Sequence, residues 1–186
     1  DKELNGLSMV GVGSGTTVDH ITVDKADDDC IELWGGTVNL SNISVSECTD
    51  DQFDVDDGYA GTVSNLTINQ TTGNAGIEMS GLTAATFDGL YINVASSAKE
   101  GAIYFKKDGV GGHFRNVLVN YNTTTGNGII HSAGTYDAAN TSFYGVTLTG
   151  SNTDRFTGDS ALAIETKFTS GTNTISQAPV KEDLSG

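Results

Sequence analysis

Carboxylates recur along this chain at a spacing that would bring them together. Residues Asp27–Thr37 read DDDCIELWGGT, and the pattern returns at Asp50–Val55 (DDQFDV), Asn74–Met79 (NAGIEM), Glu100–Phe105 (EGAIYF) and Asn127–His131 (NGIIH). Each time, a turn of small or acidic residues leads into a short run whose alternate residues are apolar. If that run is a strand with Ile31 and Leu33 inward, Glu32 and Trp34 point outward. The same alternation predicts an outward column of Ser8, Glu32, Asp54, Glu78, Tyr104, Ile130 and Ala163. A neighbouring column reads Trp34, Asp56, Ser80 and Lys106. Two unit charges about 5 Å apart repel by roughly 3 kcal/mol at an effective dielectric near 20. Such a column needs a cation, or its pKa values rise. Ca²⁺, a hard ion that takes several carboxylate oxygens, suits it. A second acidic group lies in the preceding turn, where Asp27, Asp28 and Asp29 would stack near Asp50 and Asp51. Asp54-x-Asp56-Asp57-Gly58 matches part of a calcium loop without the later Glu that completes an EF-hand.

Other chemistry is thinner. The Gly11–Gly15 run is followed by no helix and no Lys, so it reads as a corner and not a phosphate loop. His20, His113 and His131 fall on different repeats, and His131 is expected as an inward core residue. No Ser-His-Asp set emerges. A glycoside hydrolase needs two carboxylates at a defined separation, and the column offers many such pairs.

The elements that must position these residues are short strands. One apolar couple reads Ile21/Val23, Ile43/Val45, Leu66/Ile68, Leu90/Ile92, Val117/Val119 and Val146/Leu148. Its successive spacings are 22, 23, 24, 27 and 29 residues. A second couple reads Leu7/Met9, Ile31/Leu33, Phe53/Val55, Ile77/Met79, Ile103/Phe105, then Ile129, then Leu162/Ile164. Val63, Phe87, Phe114 and Phe143 lie three residues before the first couple, with Val18 and Val38 in related places. Residues two apart mark half-buried strands, and Gly, Asn, Asp and Ser clusters between them mark turns. A repeating period with like residues in like places is a solenoid pattern. The predicted fold is therefore all-β: a right-handed parallel β-helix of about six to seven coils of 22–29 residues, three short strands per coil, over residues 1–170. Residues 171–186 read as a covering tail or linker. The outward face of the first strand is rich in Thr and Asn, with a predicted Asn ladder at Asn69, Asn93 and Asn120. Such a face suits a glycan or an ordered water lattice, although Tyr91 and Leu118 interrupt its Thr ranks.

These repeats resemble the right-handed β-helix of the pectate-lyase-like superfamily, over roughly residues 4–165. Asp28-Asp29-Cys30-Ile31 is similar to the acidic string of polygalacturonases, but no Gly-His-Gly and no Arg-x-Lys follow. The resemblance implies Ca²⁺ held by acidic residues of neighbouring coils, here Glu32, Asp54, Asp56 and Glu78. It implies a Lys or Arg that handles the substrate's α-proton, here Lys106, Lys107 or Arg115. Trp34 and Tyr104 would be platforms for sugar rings, with Tyr91 a third aromatic contact on the other face.

Composition bounds the partners. With 9 Lys and Arg against 24 Asp and Glu, the chain carries a formal charge of −15. That excludes nucleic acid and argues against anionic membranes; no stretch is apolar enough for membrane insertion. Cys30 and Cys48 read equally well as a disulfide or as two buried thiols. Asn5–Met9 aligns with Ala75–Met79, so the chain starts mid-coil and is expected to be a piece of a longer protein. Missing coils or other chains would cover the open ends. The leading expectation is a non-catalytic secreted, periplasmic or cell-surface module that binds Ca²⁺, with a polysaccharide, a surface glycan or a second copy as partner. The alternative is a Ca²⁺-dependent polysaccharide lyase, or a glycoside hydrolase, acting on acidic polysaccharide.

Overall fold

The computed structural model describes residues 4–123 and 126–176. They coil into a parallel β-solenoid whose fourteen strands, β1 to β14 in chain order, form two seven-stranded sheets. One sheet stacks β1 (Leu7–Val10), β3 (Ile31–Trp34), β5 (Phe53–Asp56), β7 (Ala75–Met79), β9 (Gly101–Phe105), β11 (Ile130–Ser132) and β13 (Phe156–Gly158). The other stacks β2 (Thr17–Asp24), β4 (Asn39–Ser46), β6 (Thr62–Gln70), β8 (Ala84–Val94), β10 (Val110–Tyr121), β12 (Tyr136–Thr149) and β14 (Thr174–Ile175).

Three strands per coil were expected, and two sheets are found because two of the three merge around a corner. His20, Asn42, Asn65, Gly89, Asn116 and Gly145 stand at that corner, with φ between 53° and 75°. Asn and His are enriched in this left-handed region, and Gly enters it without steric cost. The corner explains an odd spacing in the sequence. Val63 and Leu66 are three apart, which in a flat strand would put them on opposite faces. The turn at Asn65 lets both face inward, and both are buried. The corner amides also bond along the stack, Asn65 Nδ2 to Asn42 Oδ1 at 3.2 Å and Asn42 Nδ2 to Asp19 Oδ1 at 2.8 Å.

Registers confirm the first apolar ladder from Ile21/Val23 to Val146/Leu148. The predicted Asn column is also in register, and Asn120 Nδ2 donates to Asn93 Oδ1 at 3.0 Å. Leu40, not Val38, continues the ladder between Val18 and Val63. Val38 is instead buried at the turn, where its carbonyl accepts the Tyr59 hydroxyl at 2.7 Å. Further along, Phe87, Phe114 and Phe143 stack with centroids 5.4 Å apart at each step.

Two expectations for the last coils are corrected. Ile103 pairs with Ile130, not Ile129, so the outward column runs Tyr104, His131, Thr157 and excludes Ile130. A one-residue slip exchanges the two faces of a strand; His131 is therefore outward, and Ile130 is core. Ala163, Leu162 and Ile164 are not in a strand. Phe156 takes the ladder place, and Ala161–Thr169 forms helix α1. Ile164 and Phe168, four apart, share the helix face that covers the final coil, while Leu162 is exposed. Of the tail expected over 171–186, residues 174–175 form β14, which pairs with β12 at Thr147 and Leu148, and residues 177–186 lie outside the described residues.

Cys30 and Cys48 form a disulfide with Cα atoms 5.4 Å apart, which resolves the choice between bonded and free thiols. It ties together the two turns that carry Asp28–Asp29 and Asp50–Asp51. The bond links residues 18 apart, a loop whose closure stabilises by about 3 kcal/mol. Replacing both cysteines by Ser is expected to lower unfolding stability by about that amount, measured by denaturant titration. An unchanged midpoint would refute it.

Candidate functional site

The carboxylates gather on the outward face of the sheet from β1 to β13. Register aligns Ser8, Glu32, Asp54, Glu78, Tyr104, His131 and Thr157 in one column. Outward positions on a sheet usually meet water, yet Asp54 is 7 % exposed and Glu78 only 2 %. Carboxylates of the turn before these strands lie against them. Asp29 and Asp51, at 5 % and 3 %, are buried there, and Glu100 is half-buried.

The turn carboxylates are built into the backbone. Asp51 donates its N–H to Asp29 Oδ1 at 2.9 Å, and Asp51 Oδ1 accepts the Ala75 N–H at 2.6 Å. Asn5 bridges the first coil, accepting the Asp29 N–H at 3.1 Å and donating to Glu32 Oε2 at 2.5 Å. Asn74 Nδ2 donates to Asp50 Oδ1. These bonds pin each coil's turn to the next.

Three groups result, each offering three carboxylate oxygens within 4.8 Å of one another: Asp28, Asp29 and Asp50; Asp29, Glu32 and Asp54; and Asp51, Glu78 and Glu100. The single column read from the sequence is thus divided. Glu32 and Asp54 join Asp29, whereas Glu78 joins Asp51 and Glu100. Glu100 heads the third echo of the acidic motif, which is the signal that would have placed it. Asn5 carries no such signal. Asp56 stands outside all three groups. Burial raises its carboxyl, and the Ser80 hydroxyl nearby, a hydrogen bond from the Asp57 N–H and Lys107 at 3.8 Å outweigh that and hold it low.

Electrostatics follow from this crowding. Burial, against the Asp51 hydrogen bond and aided by Glu32, Asp28 and Asp50, pushes Asp29 up to about 8. Burial, then Glu78, Asp29 and Glu32, pushes Asp54 up to about 9. Asp51 is raised for the same reasons, with Glu78 its strongest neighbour. Among the described residues, two buried oxygens of these groups, Asp54 Oδ1 and Glu78 Oε2, have no hydrogen-bond partner. An unpaired buried acceptor is costly, and a bound cation is one way to satisfy it.

Lys106 Nζ lies 2.6 Å from Glu78 Oε1. Burial lowers its pKa, but the Glu78 hydrogen bond and charge outweigh burial, so the ammonium persists well above neutral pH. Trp34 is half-buried beside Asp56. Tyr104 is buried, with its ring stacked on His131 at 5.2 Å. His131 Nδ1 shares a 2.9 Å hydrogen bond with Thr157 Oγ1, and burial lowers its pKa. Arg115 and Tyr91 do not join this site. They lie on β10 and β8 of the other sheet, where Arg115 registers with Asp88 and Tyr144, and Tyr91 with Thr67 and Leu118.

A family model described as a pectate-lyase-like beta helix domain matches residues 1–183. No curated protein and no solved structure matches the chain.

Proposed function

This chain belongs to the pectate-lyase-like β-helix family, and on that premise we propose that it is a non-catalytic, calcium-dependent module that holds acidic polysaccharide on its carboxylate face. Asp29, Glu32 and Asp54 are the ion's ligands. The observation that carries this reading is Asp54 Oδ1, buried without a partner in a residue grouped with two other carboxylates. Three hard oxygens leave further coordination positions of Ca²⁺ for water or a ligand carboxylate. Trp34, half-buried on the same sheet face, is the sugar platform. The family's association with polysaccharide supports this ligand class, and the disulfide supports an oxidising, extracytoplasmic location.

The lyase alternative receives less support. It needs a base, and Lys106 is engaged with Glu78 as an ammonium while Arg115 is on the other sheet. Incubation with uronate polymers, monitored by the ultraviolet absorbance of unsaturated products, tests it. Appearance of that absorbance, lost in Lys107→Ala, would overturn the non-catalytic reading.

The calcium assignment is tested by melting. Saturation near a hundredfold over Kd stabilises by about 2.7 kcal/mol, or roughly 5 °C or more for a chain of this size. Millimolar CaCl₂ is therefore expected to raise the Tm by about that much, and Glu32→Gln to abolish most of the gain. No rise in the wild-type protein would sink the assignment.

A further inference from the structure

The group formed by Asp51, Glu78 and Glu100 shares no residue with the proposed calcium ligands. Asp51 and Glu78 are almost wholly buried, and Glu78 Oε2 has no hydrogen-bond partner among the described residues. One cation already attends this group, the ammonium of Lys106, bonded to the other Glu78 oxygen at 2.6 Å. A single positive charge faces three carboxyl groups, and among the described residues one Glu78 oxygen remains unpaired. The Lys106 side chain is 44 % exposed, so its ammonium can leave for water along its own stem. The carboxylates cannot follow, because Asp51 is fastened by the Ala75 N–H and Glu78 sits within the strand ladder.

We propose that Asp51, Glu78 and Glu100 form a second divalent-cation locus, and that Lys106 is its tethered occupant, displaced when the ion enters. The proposal extends the cation-binding reading above from one locus to two. The donors are hard oxygens, which select Ca²⁺ or Mg²⁺ over thiophilic metals. Lys106 weakens this locus by direct competition, because entry of the ion requires breaking the Glu78 contact and accepting a nearby like charge. The two loci therefore differ in affinity, the first filling before the second.

Calorimetric titration of CaCl₂ into metal-free protein tests this. The wild-type chain is expected to bind two equivalents, one tighter than the other. Glu100→Gln should remove the weaker and keep the tighter, and Glu32→Gln should remove the tighter. Lys106→Gln should strengthen the weaker step about tenfold. Circular dichroism of each variant checks that the coil is intact, and Lys106→Gln provides an independent readout if Glu100→Gln fails to fold. The inference is overturned if Glu100→Gln binds with unchanged stoichiometry, or if Lys106→Gln leaves the weaker step unchanged or weaker. Failure of the first locus looks different: Glu32→Gln would then change nothing while Glu100→Gln still removes an equivalent.

Discussion

In metal-free buffer the protein is expected to melt at a higher temperature at pH 5 than at pH 8. The carboxyls of Asp29 and Asp54, raised by burial to about 8 and about 9, remain neutral in the folded chain through this range. In the unfolded chain they ionise near pH 4. Unfolding therefore releases protons, and stability falls as pH rises from about 4 toward the folded values. Each unit of pKa difference is worth about 1.4 kcal/mol. Two such groups make the loss between pH 5 and pH 8 several kcal/mol, an order-of-magnitude figure. Asp51 is raised too and acts in the same sense. Carboxyls that are held low, such as Asp19 and Asp56, lose their contribution only at more acid pH and leave this window alone.

Two controls separate this effect from the general repulsion of a chain at −15. Asp54→Asn removes one titrating group and should flatten the slope, whereas neutralising Asp19, an exposed acid held low by hydrogen bonds from Ser41 and Asn42, should not. Adding CaCl₂ at pH 8 should restore most of the lost stability, because the ion takes the place of the protons. A Tm that is flat from pH 5 to pH 8 without divalent ions would show that the buried cluster does not titrate as described.

The second large effect lies in the core. Phe114→Ala is expected to destabilise by about 3–5 kcal/mol, the range for deleting a buried aromatic ring. Phe114 is fully buried and stacked between Phe87 and Phe143, with Phe105 at its edge. Its loss opens a hole in a ladder where every ring supports the next. Phe114→Leu should cost less, because part of the volume remains. Tyr144, 62 % exposed one coil further on, is the contrast, and Tyr144→Ala should stay within about 0.5 kcal/mol of wild type. Chemical denaturation reads all three, and a Phe114→Ala cost near that of Tyr144→Ala would refute the ladder's importance.

Much of this architecture was legible from the order of residues. In a solenoid each inward position repeats one coil later, so apolar couples such as Leu66/Ile68 and Leu90/Ile92 declare both the strand and its partner. The corner is marked in the sequence by a column of Asn, Gly and His one residue before each couple, a signal that strand alternation alone assigns to the outward face. The slip at Ile129 and Ile130 was not legible. Both residues are apolar and buried, and β11 is only three residues long. Which one faces the core is decided by the backbone bonds of Ile129 to Asp154 and of Ile103 to Ile129, formed across coils. The nine-residue helix escaped because its apolar pair, Ile164 and Phe168, is too short a pattern to separate from a strand couple.

The carboxylate face divides the same way. Local alternation, a property of the pleated backbone, was enough to put Glu32, Asp54 and Glu78 in one outward column, because side chains two apart share a face whatever surrounds them. Whether that column is wet or dry depends on groups far off in sequence. Asn5 reaches Glu32 across 27 residues, Lys106 reaches Glu78 across 28, and Asp51 meets Glu100 across two coils. Burial and electrostatic strength depend on distances in space and on the dielectric they create. Only the stacked coils set those distances, and so only the folded molecule divided the acidic stripe among three carboxylate groups, one of them with its own ammonium.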